Sequence, residues 1–372
     1  MNFLKNYNFS KKITFILLVI APYFSVLKIL DTGFLMQDIL GLIVVVLNLK
    51  VLIKKNCAFS NMILFFLVSS IVSMLFLGFE PIRFVWAFFF AFVLSKIDFI
   101  LLRMSIKYSI LIASIYLLLT LLCLYIFKIN ISLDFGKYGL MENTFAGVEE
   151  FEISSDLKLG GLFREPNWFS IFAAVGLSTL VNKRNYKYFF IVLTAIILSN
   201  SAYGFLIAIL SFLFFFKRKS TKLLISVILF LIFVFLFRDS SFFSRSIDTL
   251  NFNNPIELRG SSAIRIIEPW TTYYNNISLL PKSYKDNIFP NTGIVILSVF
   301  GSFIGLLFYV MLGSYSRFSF LFIAFFLATI SDGFYGRIEF SIILALFVGF
   351  SNVRALPTNK VLNRFAYHQS IE

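Results

Sequence analysis

Two short stretches combine arginine, a carboxylate and a Pro-Asn pair just before a long apolar run. The first is Gly160-Gly161-Leu162-Phe163-Arg164-Glu165-Pro166-Asn167-Trp168-Phe169. Pro166 suits the first turn of a helix, where no backbone donor is lost. The free N–H groups and the positive end of the helix dipole favour an anion there. Arg164 adds a fixed charge whose planar fork matches phosphate. Glu165 beside it could act as a base or as its ion-pair partner. The second stretch ends in Ile288-Phe289-Pro290-Asn291-Thr292-Gly293, with Arg259, Arg265, Glu268 and Trp270 upstream. A helix from Ile264 to Tyr274 would set Arg265 and Glu268 on one face. Several cations near helix N-termini suit a diphosphate. Plainer readings stand beside these. Arg164–Glu165 could be a local ion pair, Arg265–Glu268 a solvated helix pair, and each Pro-Asn only a helix start. Trp270, Tyr273 and Tyr274 could form an interfacial aromatic belt or stack on sugar rings.

Metal and thiol chemistry find no support. Cys57 and Cys123 are the two cysteines, and His368 in the tail is the one histidine. No ligand spacing for a metal exists, and a Cys57–Cys123 disulfide is not expected. No metal and no cofactor is expected.

The elements that must position these residues follow from composition. Of 372 residues, 59% are hydrophobic and 14% charged, and 51 are Phe. A water-soluble domain needs more charge to cover its surface, whereas lipid tails solvate such side chains. The net charge of +14 does not indicate nucleic acid, because Lys and Arg are scattered in small groups between apolar runs. The expected fold is all-α: a single polytopic membrane domain over residues 1–372 with about 12 spans. Their cores are Ile13–Leu30, Met36–Ile53, Met62–Phe79, Phe84–Leu101, Tyr108–Phe127, Trp168–Val181, Tyr188–Leu198, Tyr203–Phe216, Leu223–Phe237, Thr292–Leu312, Phe318–Ile330 and Ile338–Phe350. The first, preceded by Lys5, Lys11 and Lys12, reads as an uncleaved anchor.

Orientation follows from the short loops. Lys5/Lys11/Lys12, Lys50/Lys54/Lys55, Lys96/Arg103/Lys107, Lys183/Arg184/Lys187, Lys217/Arg218/Lys219/Lys222, Arg317 and Arg354/Lys360/Arg364 all fall on one side, which the positive-inside rule makes cytoplasmic. Both termini then lie in the cytoplasm. The short outer turns carry Glu80-Pro81-Ile82-Arg83 and Asp332 to Arg337. Two long outer loops remain, 128–167 and 238–291, and long loops of this kind tend to carry function.

These residues suggest a family. Gly161 to Asn167 resembles the loop motif of bacterial polysaccharide polymerases and O-antigen ligases. Leu198-Ser199-Asn200-Ser201-Ala202-Tyr203-Gly204 looks like their Ser-Arg-Gly-type span junction, with Asn200 where Arg is common. Arg265 to Trp270 is similar to the Arg/Trp region opening their second outer loop. Pro290-Asn291, followed by Gly301 and Gly305, resembles the His-Asn pair that opens their next span. The resemblance covers roughly residues 155 to 310. Pro290 departs from the ligase pattern, which has His there, and this favours a Wzy-type polymerase over a ligase.

What the resemblance implies is a GT-C-like, inverting, metal-independent glycosyltransferase of the bacterial cytoplasmic membrane. Its donor would be a glycan on undecaprenyl diphosphate. Its acceptor would be the terminal sugar of another lipid-linked repeat unit, in O-antigen, capsule or exopolysaccharide synthesis. Membrane lipid and a chain-length regulator are the further partners it implies. In that chemistry Arg164 and Arg265 would stabilise the diphosphate leaving group and Glu165 would take the acceptor proton. Asn167, Arg259, Glu268, Trp270 and Asn291 would hold substrate. A ligase and a transporter or flippase are the alternatives. Against transport, the span centres carry almost no charge and no inverted repeat is evident.

Overall fold

The computed structural model describes residues 7–26, 35–54, 57–127, 162–163, 166–180, 186–199, 204, 269–284, 291–316, 319–331, 333 and 337–349. Within these the chain is helical, with no strand, as an all-α fold requires. Its helices are α1 (Phe9–Ile20), α2 (Met36–Leu47), α3 (Ala58–Leu77), α4 (Ile82–Lys96), α5 (Phe99–Leu122), α6 (Pro166–Leu180) and α7 (Tyr186–Leu198). There follow α8 (269–275), α9 (Thr292–Val299), α10 (Ser302–Ser316), α11 (Phe320–Ser331) and α12 (Ile338–Leu346). Two of them, α3 with 20 residues and α5 with 24, are long and apolar enough to cross a membrane. Apart from Gly204, the predicted spans Tyr203–Phe216 and Leu223–Phe237 lie outside the described residues.

Local chemistry explains where these helices begin. Asn8 caps α1 by accepting from Lys11 N–H at 3.1 Å, and Asp98 caps α5 by accepting from Ile100 N–H at 3.0 Å. Such caps satisfy donors that a helix start leaves orphaned. Leu35 N–H bonds the Asp38 carboxylate at 2.9 Å, fixing the start of α2. Helix α3 stops at Gly78, whose φ of 61° disfavours any residue with a Cβ.

Packing is built on phenylalanine. Phe66, Phe84, Phe88, Phe300, Phe308, Phe325 and Phe340 are each fully or almost fully buried and meet one another mostly edge to face. That geometry suits the charge distribution of aromatic rings. This stack joins α3, α4, α10, α11 and α12 through the residue that follows α9. A second layer joins α1, α5, α6 and α7. Gly176 of α6 lets Ile110 of α5 approach so closely that no Cβ would fit between them. Buried hydroxyls find partners across helices. Ser60 donates to Ser95 at 2.9 Å, Ser73 to Val299 O at 2.6 Å, and Ser341 to Ala87 O at 2.8 Å.

The apolar run Thr292–Leu312 reads in sequence as one continuous helix, and the structure breaks it. Helix α9 has eight residues, all buried. Gly301 then adopts φ 77°, and the chain reverses so that Gly305 packs on the backbone of Leu297. The cause is tertiary: segment 278–284 lies across the break. Ser302 N–H and Oγ both donate to Ser278 O, at 2.9 and 2.6 Å, and Lys282 N–H donates to Ser298 O at 2.9 Å.

The starts of α2, α4 and α12 gather at one end of the bundle. Ile338 N–H bonds Gln37, and Arg83 pairs with Asp38. At the opposite end Lys96 Nζ donates to Leu52 O and Lys54 O, while Tyr7 donates to Asp98 at 3.0 Å. Burial first, then the Asp98 charge, holds the Tyr7 phenol above its ordinary range.

Candidate functional site

The end of the bundle that holds Gln37 and Asp38 also receives what the structure describes of both long-loop segments. The connection between α11 and α12 is flanked by Ile330 and Arg337. On one flank the Arg337 guanidinium lies over the ring of Trp168, in the first turn of α6. On the other, Trp270 of α8 donates from Nε1 to Ile330 O at 3.1 Å. The segment that follows the first loop and the one that closes the second therefore dock on the two flanks of a single turn.

Trp270 and Asn291 belong to one arrangement. A Cβ on Gly293 would meet Thr329 O at 3.0 Å and Trp270 Cζ2 at 3.2 Å, so any larger residue would crowd both where α9 starts. Asn291 caps α9, its Oδ1 accepting from Ile294 N–H at 3.1 Å. Its Nδ2 is buried and has no hydrogen-bond partner among the described residues. A buried amide donor beside a helix start is suited to an incoming oxygen.

Segment 269–284 is anchored at several points. Tyr273 OH donates to Ser302 Oγ at 2.6 Å. The Glu80 carboxylate, in the α3–α4 turn, accepts from Ser283 Oγ at 3.0 Å and from Tyr284 N–H at 3.1 Å. This anchoring leaves Tyr274, Ile277, Leu279 and Leu280 on the surface.

A second cluster lies at the starts of α2 and α12. Gln37 is fully buried, and its Oε1 accepts from Ile338 N–H at 3.2 Å. That bond fixes which end of the amide is oxygen, leaving Nε2 as the donor end, with no partner among the described residues. Glu339, one position on, is 4% exposed. Asp38 Oδ2 accepts from Arg83 at 2.8 Å and from Leu35 N–H at 2.9 Å. No group of three or more His, Cys, Asp or Glu able to hold a metal occurs among the described residues.

Of the residues singled out in the sequence, Arg164, Glu165, Arg259, Arg265 and Glu268 lie outside the described residues. Asn167 falls in the first turn of α6, which begins at Pro166 as its sequence demands. Residues 269–275 are helical, matching the described part of the helix expected over Ile264–Tyr274. Just past the end of α7, Ser199 accepts from Ser170 at 3.0 Å and Gly204 sits against Ser170 Oγ. Sequence reasoning did not single out Gln37, Trp168 or Glu339 as site residues, and placed Arg337 only in a turn. Their common signal is a polar group lodged within or beside an apolar run. No family model, no curated protein and no solved structure matches this chain.

Proposed function

We propose that this chain is a polytopic enzyme of a bacterial cytoplasmic membrane, with about 12 spans, that polymerises oligosaccharide repeat units. It moves a growing glycan from a polyprenyl diphosphate to the terminal sugar of another lipid-linked unit. Several features favour a bilayer as solvent. Two helices have the length and composition to cross it. Large apolar side chains such as Leu75, Phe76, Phe79 and Phe303 face outward, while serines pair between helices, as in membrane bundles. Lys11, Lys54 and Lys96 gather at the end opposite Gln37 and Asp38, which agrees with a cytoplasmic assignment for that end.

One observation carries the functional reading. Trp168 and Trp270 flank the same α11–α12 turn, so both arginine-bearing segments have an anchored neighbour at one end of the bundle. In the proposed step the acceptor sugar hydroxyl attacks the anomeric carbon from the face opposite the diphosphate. The anomeric C–O bond breaks and its electron pair leaves with the diphosphate. The hydroxyl proton passes to Glu165. Arg164 and Arg265 neutralise the departing charge, Asn291 Nδ2 adds a hydrogen bond, and Asn167, Arg259, Glu268 and Trp270 complete the binding surface. Tethering both substrates in the membrane plane supplies much of the rate.

Deleting the gene tests this. The expected phenotype is surface glycan capped at a single repeat unit, restored to a ladder by the intact gene. Polymer retained on its lipid carrier would point to a ligase, and repeat units trapped in the inner leaflet to a flippase. Arg164→Lys and Arg265→Lys should each shorten chains, because Lys lacks the planar fork. Wild-type ladders in both would remove these arginines from the site.

A further inference from the structure

The geometry points to a lipid-inserted tip at residues 277–280, whose side chains lie among the acyl chains of the outer-facing leaflet; this rests on the membrane placement above and not on the polymerase chemistry. The tip is a short loop with a polar neck. At the neck Lys282 Nζ donates to Asn276 Oδ1 at 3.5 Å, and both residues are exposed. Between them Ile277, Leu279 and Leu280 are 56%, 74% and 64% exposed. Ser278 is the one polar side chain in the tip, and it turns back on its own backbone. Its Oγ donates to Leu280 O at 2.9 Å and accepts from Leu280 N–H at 3.2 Å. Ser278 O in turn accepts from both Ser302 N–H and Ser302 Oγ. Polar atoms of the tip thus face the protein, and its large apolar side chains face away.

Helix α3, long and apolar enough to cross a membrane, serves as a ruler for depth. Ser73 Oγ donates to Val299 O at 2.6 Å, and Ser73 lies four residues, roughly 6 Å at 1.5 Å per residue, short of Leu77 where α3 ends. Two residues past Val299, Gly301 packs on the Leu279 carbonyl. Glu80, beyond the end of α3, holds Ser283 and Tyr284. The segment therefore dips from the level of Glu80 toward that of Ser73. Its tip lies beside the last apolar turns of α3, not above them. The tip is also continuous with an apolar stripe. Ser302, its hydrogen-bond partner, opens α10, and Phe303, Leu306 and Val310 then lie exposed at i, i+3 and i+7 of one face. Backbone that enters hydrocarbon must be satisfied within the protein, which the Ser278 bonds achieve. Tyr274, exposed just before the neck, and Lys282 at the neck suit the headgroup layer, where tyrosine rings settle and lysine heads reach phosphate. In water the same side chains would form an exposed apolar patch.

The test uses the full-length protein in phosphatidylcholine nanodiscs, in a Cys57→Ser/Cys123→Ser background. Leu279→Cys, Leu280→Cys, Asn276→Cys and Val68→Cys each carry a bimane label at an exposed position, and each particle should elute as wild type. Two quenchers are compared: phosphatidylcholine with a nitroxide on its acyl chain, and iodide in the water. Labels at Leu279 and Leu280 should lose fluorescence to the nitroxide lipid as strongly as the label at Val68, in the middle of α3, and resist iodide. The label at Asn276 should show the opposite pattern. If Val68 responds to the lipid while Leu279 and Leu280 respond to iodide like Asn276, the tip lies in water: the insertion is overturned and the membrane placement stands. If neither quencher reaches Leu279 and Leu280, protein covers them, as in contact with a second copy, and the insertion is again overturned. If Val68 itself ignores the nitroxide lipid, the membrane placement fails and takes the insertion with it.

Discussion

Asn291 uses its two amide atoms differently: Oδ1 caps α9, and the buried Nδ2 has no hydrogen-bond partner among the described residues. Asn291→Asp retains a capping oxygen and replaces the donor with a negative charge. Thermal unfolding of the purified variant should shift little, whereas glycan chains in cells should collapse to single units. Asn291→Ala should lose the cap as well, at about 1 kcal/mol, and unfold at a lower temperature. If Asn291→Asp makes normal chains, the donor has no part in the chemistry. At this scale the sequence disclosed residues that stand beside glycine and proline. Pro166 starts α6, and Asn291 starts α9, because those types have few other uses there. Gln37 and Glu339 were not legible in the same way. Each sits in an apolar run, and nothing in the run tells which face meets another helix start.

Helix α9 shows how an element depends on a distant segment. Its run of Ile, Val and Leu continues smoothly into α10, so hydrophobic pattern alone predicts one helix. The reversal at Gly301 exists because segment 278–284 occupies the place where a straight helix would continue. Two glycines with positive φ test this. At Gly78 a Cβ would meet open space, so Gly78→Ala should cost only the backbone conformation, about 1–3 kcal/mol. At Gly301 the same change also drives a Cβ into the Leu279 carbonyl. Its destabilisation in a detergent thermal-shift assay should be clearly the larger of the two, and an equal pair would argue against the reversal. The same segment is held from below by Glu80. Glu80→Ala removes the acceptor of Ser283 Oγ and Tyr284 N–H. Protease added to the outer face should then cleave within 269–284 several times faster than in wild type.

For the molecule as a whole, apolar composition and charge located α3, α6, α7, α11 and α12 to within a few residues, whereas α1 ends at Ile20 rather than Leu30, and α5 begins at Phe99 rather than Tyr108, so that Arg103 and Lys107 lie within a helix and not in a loop. The predicted Met62–Phe79 is seen as Ala58–Leu77, and the predicted Phe318–Ile330 as Phe320–Ser331. Apolar composition marks such stretches without any knowledge of packing. The sidedness makes its own prediction. In a Cys57→Ser/Cys123→Ser background, Asn276→Cys should react with an impermeant maleimide on intact cells, and Lys50→Cys only after permeabilisation. The reverse pattern would invert the protein in its membrane. The fold also bears on the lipid beside it. Helix α10 has 15 residues, roughly 22 Å at 1.5 Å per residue, against a hydrocarbon core of about 30 Å. In the membrane placement proposed above, such a mismatch would thin the bilayer locally. The leaflet surface would sag beside α10, which starts where α9 ends, and headgroups there would ride lower than elsewhere. A carrier lipid arriving at that depression would bring its diphosphate closer to the buried helix α9 without being lifted from its own leaflet.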